Sequence, residues 1–166
     1  MYIRAFAVIF LILAGASCGI NGSEKLIKRR NICLEIEKML RICENLIRSS
    51  GADVYSMMTR LRSEVNRLPF LDSLSGSYAP GSDFHVEWKN AVTKCTELAE
   101  DEQQLLIDFG NTLGTCDTEG QLRAIAAYGE AARELYSRRS SEYASKGRLY
   151  RSLGLLAGIT LGIIVI

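Results

Sequence analysis

The side chains in this chain that could carry out chemistry are few and stand far apart. The 166 residues include one histidine, His85, and five cysteines. A catalytic or metal-binding histidine needs partners at a fixed spacing, and the neighbouring sequence supplies only Asp83 and Glu87. We therefore interpret His85 as a solvent-exposed residue near the start of a helix.

The cysteines show neither the C-x-x-C spacing of metal sites nor a setting that activates a thiol. Cys95 and Cys116 stand among acidic residues, which disfavour the thiolate that a nucleophile needs. The sequence also lacks a GxxxxGK[ST] phosphate-binding loop. We predict a protein that is not an enzyme and uses no metal or cofactor. A thiol-dependent enzyme is the alternative, which replacing the central cysteines by serine would test.

Acidic residues are concentrated in one stretch of the chain. Between Lys94 and Arg123 there are seven acidic residues and no basic one. On one continuous helix, Glu97, Asp101 and Asp108 would share a face. We predict that this face is either solvated surface or a binding site for a basic partner protein. The formal net charge of +1 lacks the basic excess that nucleic-acid binding requires.

Two apolar runs lie at the ends of the chain. A helix over residues 5–23 would be roughly 28 Å long, and one over residues 149–166 roughly 27 Å. We predict that both cross a membrane. The first run also resembles a signal peptide, and cleavage near Ala16 would instead produce a secreted or lipid-anchored helical interaction protein.

Glycines recur at four-residue spacing in both apolar runs. Gly15 and Gly19 lie in the first run, and the second run contains Gly154, Gly158 and Gly162. In lipid, such a glycine face lets another helix approach closely. We predict that the two helices pack on each other or on a partner's helices, and that Gly158→Leu weakens this association.

Basic residues flank the inner side of each apolar run. Four lie from Lys25 to Arg30 and five from Arg138 to Arg151, whereas only Arg4 lies beyond the runs. Because basic residues mark the cytoplasmic side of a membrane, the middle of the chain is predicted to be cytoplasmic, with both termini outside. Its cysteines would then stay reduced.

Apolar residues in the middle of the chain recur at helical spacing, and no strand pattern occurs. Helices are predicted near 24–48, 52–66, 83–113 and from 118 onward, with a loop at 68–82 that has room for one helical turn. Gly114 suits a helix C-cap, and Thr118 with Gln121 has capping-box spacing. We predict an all-α fold: an N-terminal transmembrane anchor at 1–23, a cytoplasmic helical bundle at 24–147 and a C-terminal transmembrane helix at 148–166.

Two segments resemble the stage III sporulation protein AB family. FGNTLGTCDTEGQ, residues 109–121, is similar to the family pattern FGxxLGxxDxxxQ, and YRSLGLLAGITLGIIVI, residues 150–166, is similar to its YxxLGxLxG membrane segment. The matched residues in and before the first segment are Trp88, Phe109, Gly110, Leu113, Gly114, Asp117 and Gln121. Before Trp88 the likeness is one of layout only. From the residues themselves, we expect these positions to be structural and to set the angle between two helices.

The resemblance implies a component of the channel that links mother cell and forespore in endospore-forming bacteria. It would lie in the mother-cell membrane around the forespore. The family is similar to the helical domains of the type II secretion platform protein F, which implies a platform that connects a cytoplasmic ATPase, stage III sporulation protein AA, to other stage III channel proteins. Membrane lipid and further copies of the chain are the other expected partners, and nucleic acid is not expected.

Overall fold

The computed structural model describes residues 2–50, 54–65, 67–77 and 83–165. Six helices follow one another along the chain: α1 (Tyr2–Ser50), α2 (Val54–Glu64), α3 (Pro69–Ser77), α4 (Phe84–Lys94), α5 (Glu100–Thr112) and α6 (Thr118–Val165). Every regular element in these ranges is a helix, which confirms the all-α prediction. The surroundings of Gly162 lie outside the described residues.

The chain divides into two compact units. We call Met1–Arg30 with Ser137–Ile166 the terminal pair, and Asn31–Tyr136 the bundle. The boundaries predicted at 23/24 and 147/148 separate apolar from polar sequence, and they stay a prediction. In the described part of the chain, no helix has an apolar stretch long enough to cross a membrane, so the two transmembrane helices are not shown.

One face of α1 contributes to the core of the bundle, at the three- and four-residue steps that the sequence predicted. The residues it buries are Ile32, Cys33, Ile36, Met39, Leu40, Cys43 and Ile47. The remaining helices of the bundle complete the core with residues such as Leu61, Trp88 and Phe109. Burial of this stripe, and not intrinsic helix propensity, is what holds such a helix in place.

The prediction of a loop at 68–82 with at most one helical turn was wrong in its first half, where the nine residues of α3 form a longer helix. Pro69 occupies the first helical position, which tolerates proline because that amide has no intrahelical partner. Phe70, Leu71 and Leu74 then become buried in the core. The prolines, glycines and serines predicted a loop, but one buried apolar face was enough to stabilise two helical turns.

The single helix predicted at 83–113 was also wrong, because α4 ends at Lys94 and α5 begins at Glu100. The Glu102 carboxylate accepts a hydrogen bond from the Ala99 amide at 2.9 Å and so caps the new helix. Gln103 Nε2 donates to the Cys95 carbonyl at 3.1 Å, which holds the turn. The break allows α5 to fold back and pack on α4.

Candidate functional site

The motif residues at 113–121 form the elbow between α5 and α6. Gly114 has φ +75°, a left-handed conformation that glycine adopts without strain. The Asp117 carboxylate accepts from the Gly120 amide at 3.1 Å, and Gln121 Nε2 donates to the Cys116 carbonyl at 2.8 Å. Asp117 is therefore the helix N-cap, and the capping box predicted from Thr118 was wrong.

Trp88 and Gly110 form the closest approach between α4 and α5. Trp88 is 1% exposed, and its Nε1 donates to the Leu106 carbonyl at 2.6 Å. A Cβ on Gly110 would overlap the indole ring. The two motif residues thus depend on each other, because the indole occupies the space that any side chain at Gly110 would need.

The same tryptophan belongs to a set of aromatic contacts that joins four helices. Its ring centroid lies 5.2 Å from that of Phe70 and 5.8 Å from that of Phe109. Phe109 in turn lies 5.9 Å from Tyr128 of α6, whose hydroxyl is 3.0 Å from Thr112 Oγ1. Edge-to-face aromatic pairs of this kind stabilise one relative orientation of the helices.

His85 is not the solvent-exposed residue that its sequence context predicted. It is half-buried, and its Nδ1 lies 3.0 Å from the Gly110 carbonyl oxygen. Because a carbonyl can only accept, Nδ1 is the donor, and the histidine ties α4 to α5 beside Trp88. Within the described ranges, no group of three or more His, Cys, Asp or Glu residues could hold a metal ion.

The three acidic residues predicted to share a helical face do not all lie on a helix. Glu97 is exposed in the turn between α4 and α5, because the helix breaks there. Asp101 and Asp108 share one face of α5, where Asp108 Oδ1 accepts from Gln104 Nε2 at 2.9 Å. Their role in binding a partner stays a prediction.

Charge is strongly divided between the two compact units. The terminal pair contains ten basic and two acidic residues, and the bundle contains ten basic and 17 acidic residues. The formal charges are therefore +8 and −7, although the whole chain carries +1. We therefore expect the terminal pair to attract acidic partners and the bundle to attract basic partners.

Glycines from both ends of the chain pack against each other in the terminal pair. A Cβ on Gly15 would lie 2.5 Å from the Gly154 carbonyl oxygen and 2.9 Å from the Gly158 Cα atom. A Cβ on Gly154 would likewise lie 2.9 Å from the Gly19 Cα atom. The two backbones touch, and a larger residue at Gly15 or Gly154 would have to push them apart.

Contacts nearer the bundle ends of these helices show that the pair is antiparallel. Gly22 faces the Tyr150 ring, with 3.4 Å between a Cβ on the glycine and the ring Cγ. The Arg30 guanidinium lies 5.3 Å from the centre of the Tyr143 ring, a cation–π contact. As residue numbers rise along α1, those of the contacting residues fall along α6.

Most of the large aliphatic and phenylalanine side chains that the structure describes in the terminal pair are exposed. Phe10 is 72% exposed, Leu156 57% and Ile163 67%. In the bundle, by contrast, side chains of this size form the core. In its described part, the terminal pair is therefore inside-out relative to a water-soluble unit, with glycines at the helix contact and large apolar residues outside.

Comparison with known proteins decides the family. A family model described as Stage III sporulation protein AB matches residues 4–166. The chain belongs to the stage III sporulation protein AB family. No curated protein and no solved structure matches it. The match includes the residues before Trp88, where the sequence motifs had shown only a likeness of layout.

One residue of this AB-family chain, Glu102, has a structural position that the sequence interpretation missed. It is fully buried, although it lies in the acidic stretch between Lys94 and Arg123. Besides capping α5, its carboxylate lies 3.3 Å from the Cys33 Sγ of α1, which donates to it. Its spacing from Leu105, Leu106 and Phe109 places it on the apolar side of α5, and that spacing could have revealed its burial.

The buried thiol of Cys43 provides a pH test of the AB-family bundle. Burial raises the pKa of Cys43 to about 12 from its ordinary value of 9.0. Above pH 9 the thiol ionises in the unfolded chain but stays neutral in the folded one. We expect the free energy of unfolding to fall by up to about 1.4 kcal/mol per pH unit from this group alone, until pH reaches the folded pKa.

Urea unfolding of the full chain in detergent between pH 8 and pH 11, followed by Trp88 fluorescence, measures this loss. Cys43→Ala should reduce the pH dependence, and Cys116→Ala, which replaces an exposed thiol, should leave it unchanged. Identical pH slopes for Cys43→Ala and the unsubstituted chain would contradict the burial of this thiol.

Proposed function

We propose that this AB-family chain is a non-catalytic membrane platform of the channel that links mother cell and forespore. Its terminal pair would lie in the mother-cell membrane around the forespore, and its bundle would bind the cytoplasmic ATPase, stage III sporulation protein AA. The observation that carries the proposal is the inside-out packing of the terminal pair, with touching glycine backbones and exposed large apolar side chains.

Lipid is the environment that suits such a surface. In water, a contiguous exposed apolar surface is unfavourable by about 25 cal/mol for each Å². In a bilayer that cost disappears, and close backbone contact between small residues becomes the main source of helix association. The charge-free sequence of residues 5–23 and 152–166 agrees with this environment.

The charges of the two units support a cytoplasmic bundle and a basic partner. The basic excess of the terminal pair favours the cytoplasmic side for the ends that adjoin the bundle. The bundle's formal charge of −7 would attract a basic surface on an ATPase and speed its association. The motif residues Trp88, Asp117 and Gln121 are engaged in packing and capping, which supports a structural role for the motif.

The topology can be tested in protoplasts of a sporulating host. We expect the full chain to resist carbonate extraction, and the bundle to be cleaved by protease only after the membrane is opened. Cleavage of the bundle in intact protoplasts would overturn the proposal. A mature N-terminus at Ser17 or Cys18, measured by mass spectrometry, would favour the secreted or lipid-anchored alternative, because cleavage there removes Gly15 from the helix interface.

The acidic residues Glu97, Asp101 and Asp108 are the predicted ATPase contacts. Reversing all three charges to lysine should weaken co-purification of the full chain with the ATPase by about tenfold or more, since long-range attraction becomes repulsion. Pull-down from detergent extracts at low and high salt measures the change. A second variant, E97Q with D101N and D108N, removes the charges but keeps one side-chain oxygen at each position as a hydrogen-bond acceptor, and it should give a smaller loss.

The matched control reverses three exposed glutamates elsewhere in the bundle, Glu64, Glu130 and Glu134. It changes the net charge equally but leaves the α4–α5 surface intact. Equal binding by the test and control variants, with unchanged circular dichroism, would show that Glu97, Asp101 and Asp108 are ordinary solvated surface.

A further inference from the structure

We infer that antiparallel pairing of the terminal helices assembles a basic band that binds anionic phospholipid headgroups. The band consists of Lys25, Lys28 and Arg29 on α1 and Lys146 and Arg148 on α6, all of them exposed. The inference rests on the proposed membrane location of the terminal pair, and it adds the class of lipid that the pair recognises.

The helix register brings the two basic segments to one level. Gly22 contacts Tyr150, and Arg30 contacts Tyr143, so residues 22–30 of α1 lie beside residues 143–150 of α6. The two halves of the band are more than a hundred residues apart in sequence. A parallel pair would have placed them at opposite ends, so the band is a product of the tertiary structure.

The band adjoins the surface that would face lipid tails. Leu149 is 55% exposed directly after Arg148, and Ile20 is 50% exposed five residues before Lys25. Five residues of helix rise about 7.5 Å, which is close to the thickness of the headgroup layer on one side of a bilayer. Side chains at this level meet phosphate groups when the apolar surface meets acyl chains.

Few groups within the band neutralise its charge. Among the described residues, Lys25, Lys28, Arg29 and Arg148 make no ion pair. Lys146 Nζ lies 3.7 Å from Glu142 Oε1 and forms an ion pair with it. The exposed Glu24 is the other acidic residue of the terminal pair. Each uncompensated lysine or arginine at an anionic membrane surface strengthens association by about fivefold.

Electron paramagnetic resonance of spin-labelled lipids tests the inference on the full chain reconstituted in phosphatidylcholine vesicles. Lipids that touch the protein give a motionally restricted component. At about 0.1 M salt we expect spin-labelled phosphatidylglycerol to associate about threefold or more over spin-labelled phosphatidylcholine, with the preference lost in high salt. The variant K25Q/K28Q/R29Q/R148Q should bring the ratio close to one.

The matched control, R60Q/R67Q/K89Q/K94Q, removes four exposed basic residues from the bundle and should keep the preference. A restricted component with equal affinity for both lipids in the unsubstituted chain would overturn the basic band while leaving the membrane proposal intact. Preference retained by the band variant would also overturn the assignment, and the absence of any restricted component would overturn both proposals.

Discussion

Gly110→Ala is expected to lower the free energy of unfolding by about 3 kcal/mol, because the new Cβ needs the space that the Trp88 ring occupies. The ring would have to move, which breaks its hydrogen bond to the Leu106 carbonyl and its contacts with Phe70 and Phe109. For a chain of this length the midpoint of thermal unfolding should fall by roughly 6–12 °C. Trp88 is the only tryptophan, so its fluorescence in the detergent-solubilised full chain reports the change directly.

Gly129 provides the matched control for this substitution. It is also a helical glycine of the bundle, but among the described atoms a Cβ there would meet nothing within 4 Å. Gly129→Ala should therefore be neutral, or stabilise by up to about 1 kcal/mol through helix propensity. Equal stability of the two variants, with unchanged Trp88 emission in Gly110→Ala, would contradict the packing of Trp88 on Gly110.

Gly154→Leu is expected to separate the terminal helices, because even a Cβ at this position would lie 2.5 Å from the Gly15 carbonyl oxygen. A disulfide between G22C and Y150C can report the pairing. The distance from a Cβ on Gly22 to the Tyr150 Cβ is 3.7 Å, within the range that a disulfide requires. In membranes, Gly154→Leu should reduce formation of this disulfide by about tenfold or more.

Ala157→Leu is the control, because Ala157 lies on the same helix, three residues after Gly154, and its side chain is exposed. It adds the same side chain on the outer surface and should leave the disulfide yield unchanged. Peptide mapping by mass spectrometry distinguishes the introduced disulfide from products of the five native cysteines. Equal yields in Gly154→Leu and Ala157→Leu would show that the glycine faces do not form the helix interface.

Much of the local structure could be predicted from the sequence, because local rules govern it. The buried stripe of α1 follows from its three- and four-residue steps, and the left-handed Gly114 follows from the need for a residue without Cβ at a helix end. The prediction of the α6 cap was wrong because two local preferences compete there. Thr118 and Asp117 can both cap α6, and only the observed hydrogen bond to the Gly120 amide decides for Asp117.

Elements stabilised by distant contacts could not be predicted in this way. The helix α3 forms in a segment rich in loop residues because Phe70, Leu71 and Leu74 reach the core. The break before α5 likewise needs Glu102, whose burial depends on packing that includes Cys33 of α1. A carboxylate in an acidic stretch looks like surface until its fold-specific partners are known.

The sequence by itself determined the family, the helical class and the glycine spacing of the terminal runs, because motif, periodicity and composition are properties of neighbouring residues. Only the tertiary structure decided which glycines touch, that Trp88 needs Gly110, and that the two basic flanks come together in one unit. The physical reason is that close packing and antiparallel register join residues far apart in the chain, and no local pattern encodes such a pairing.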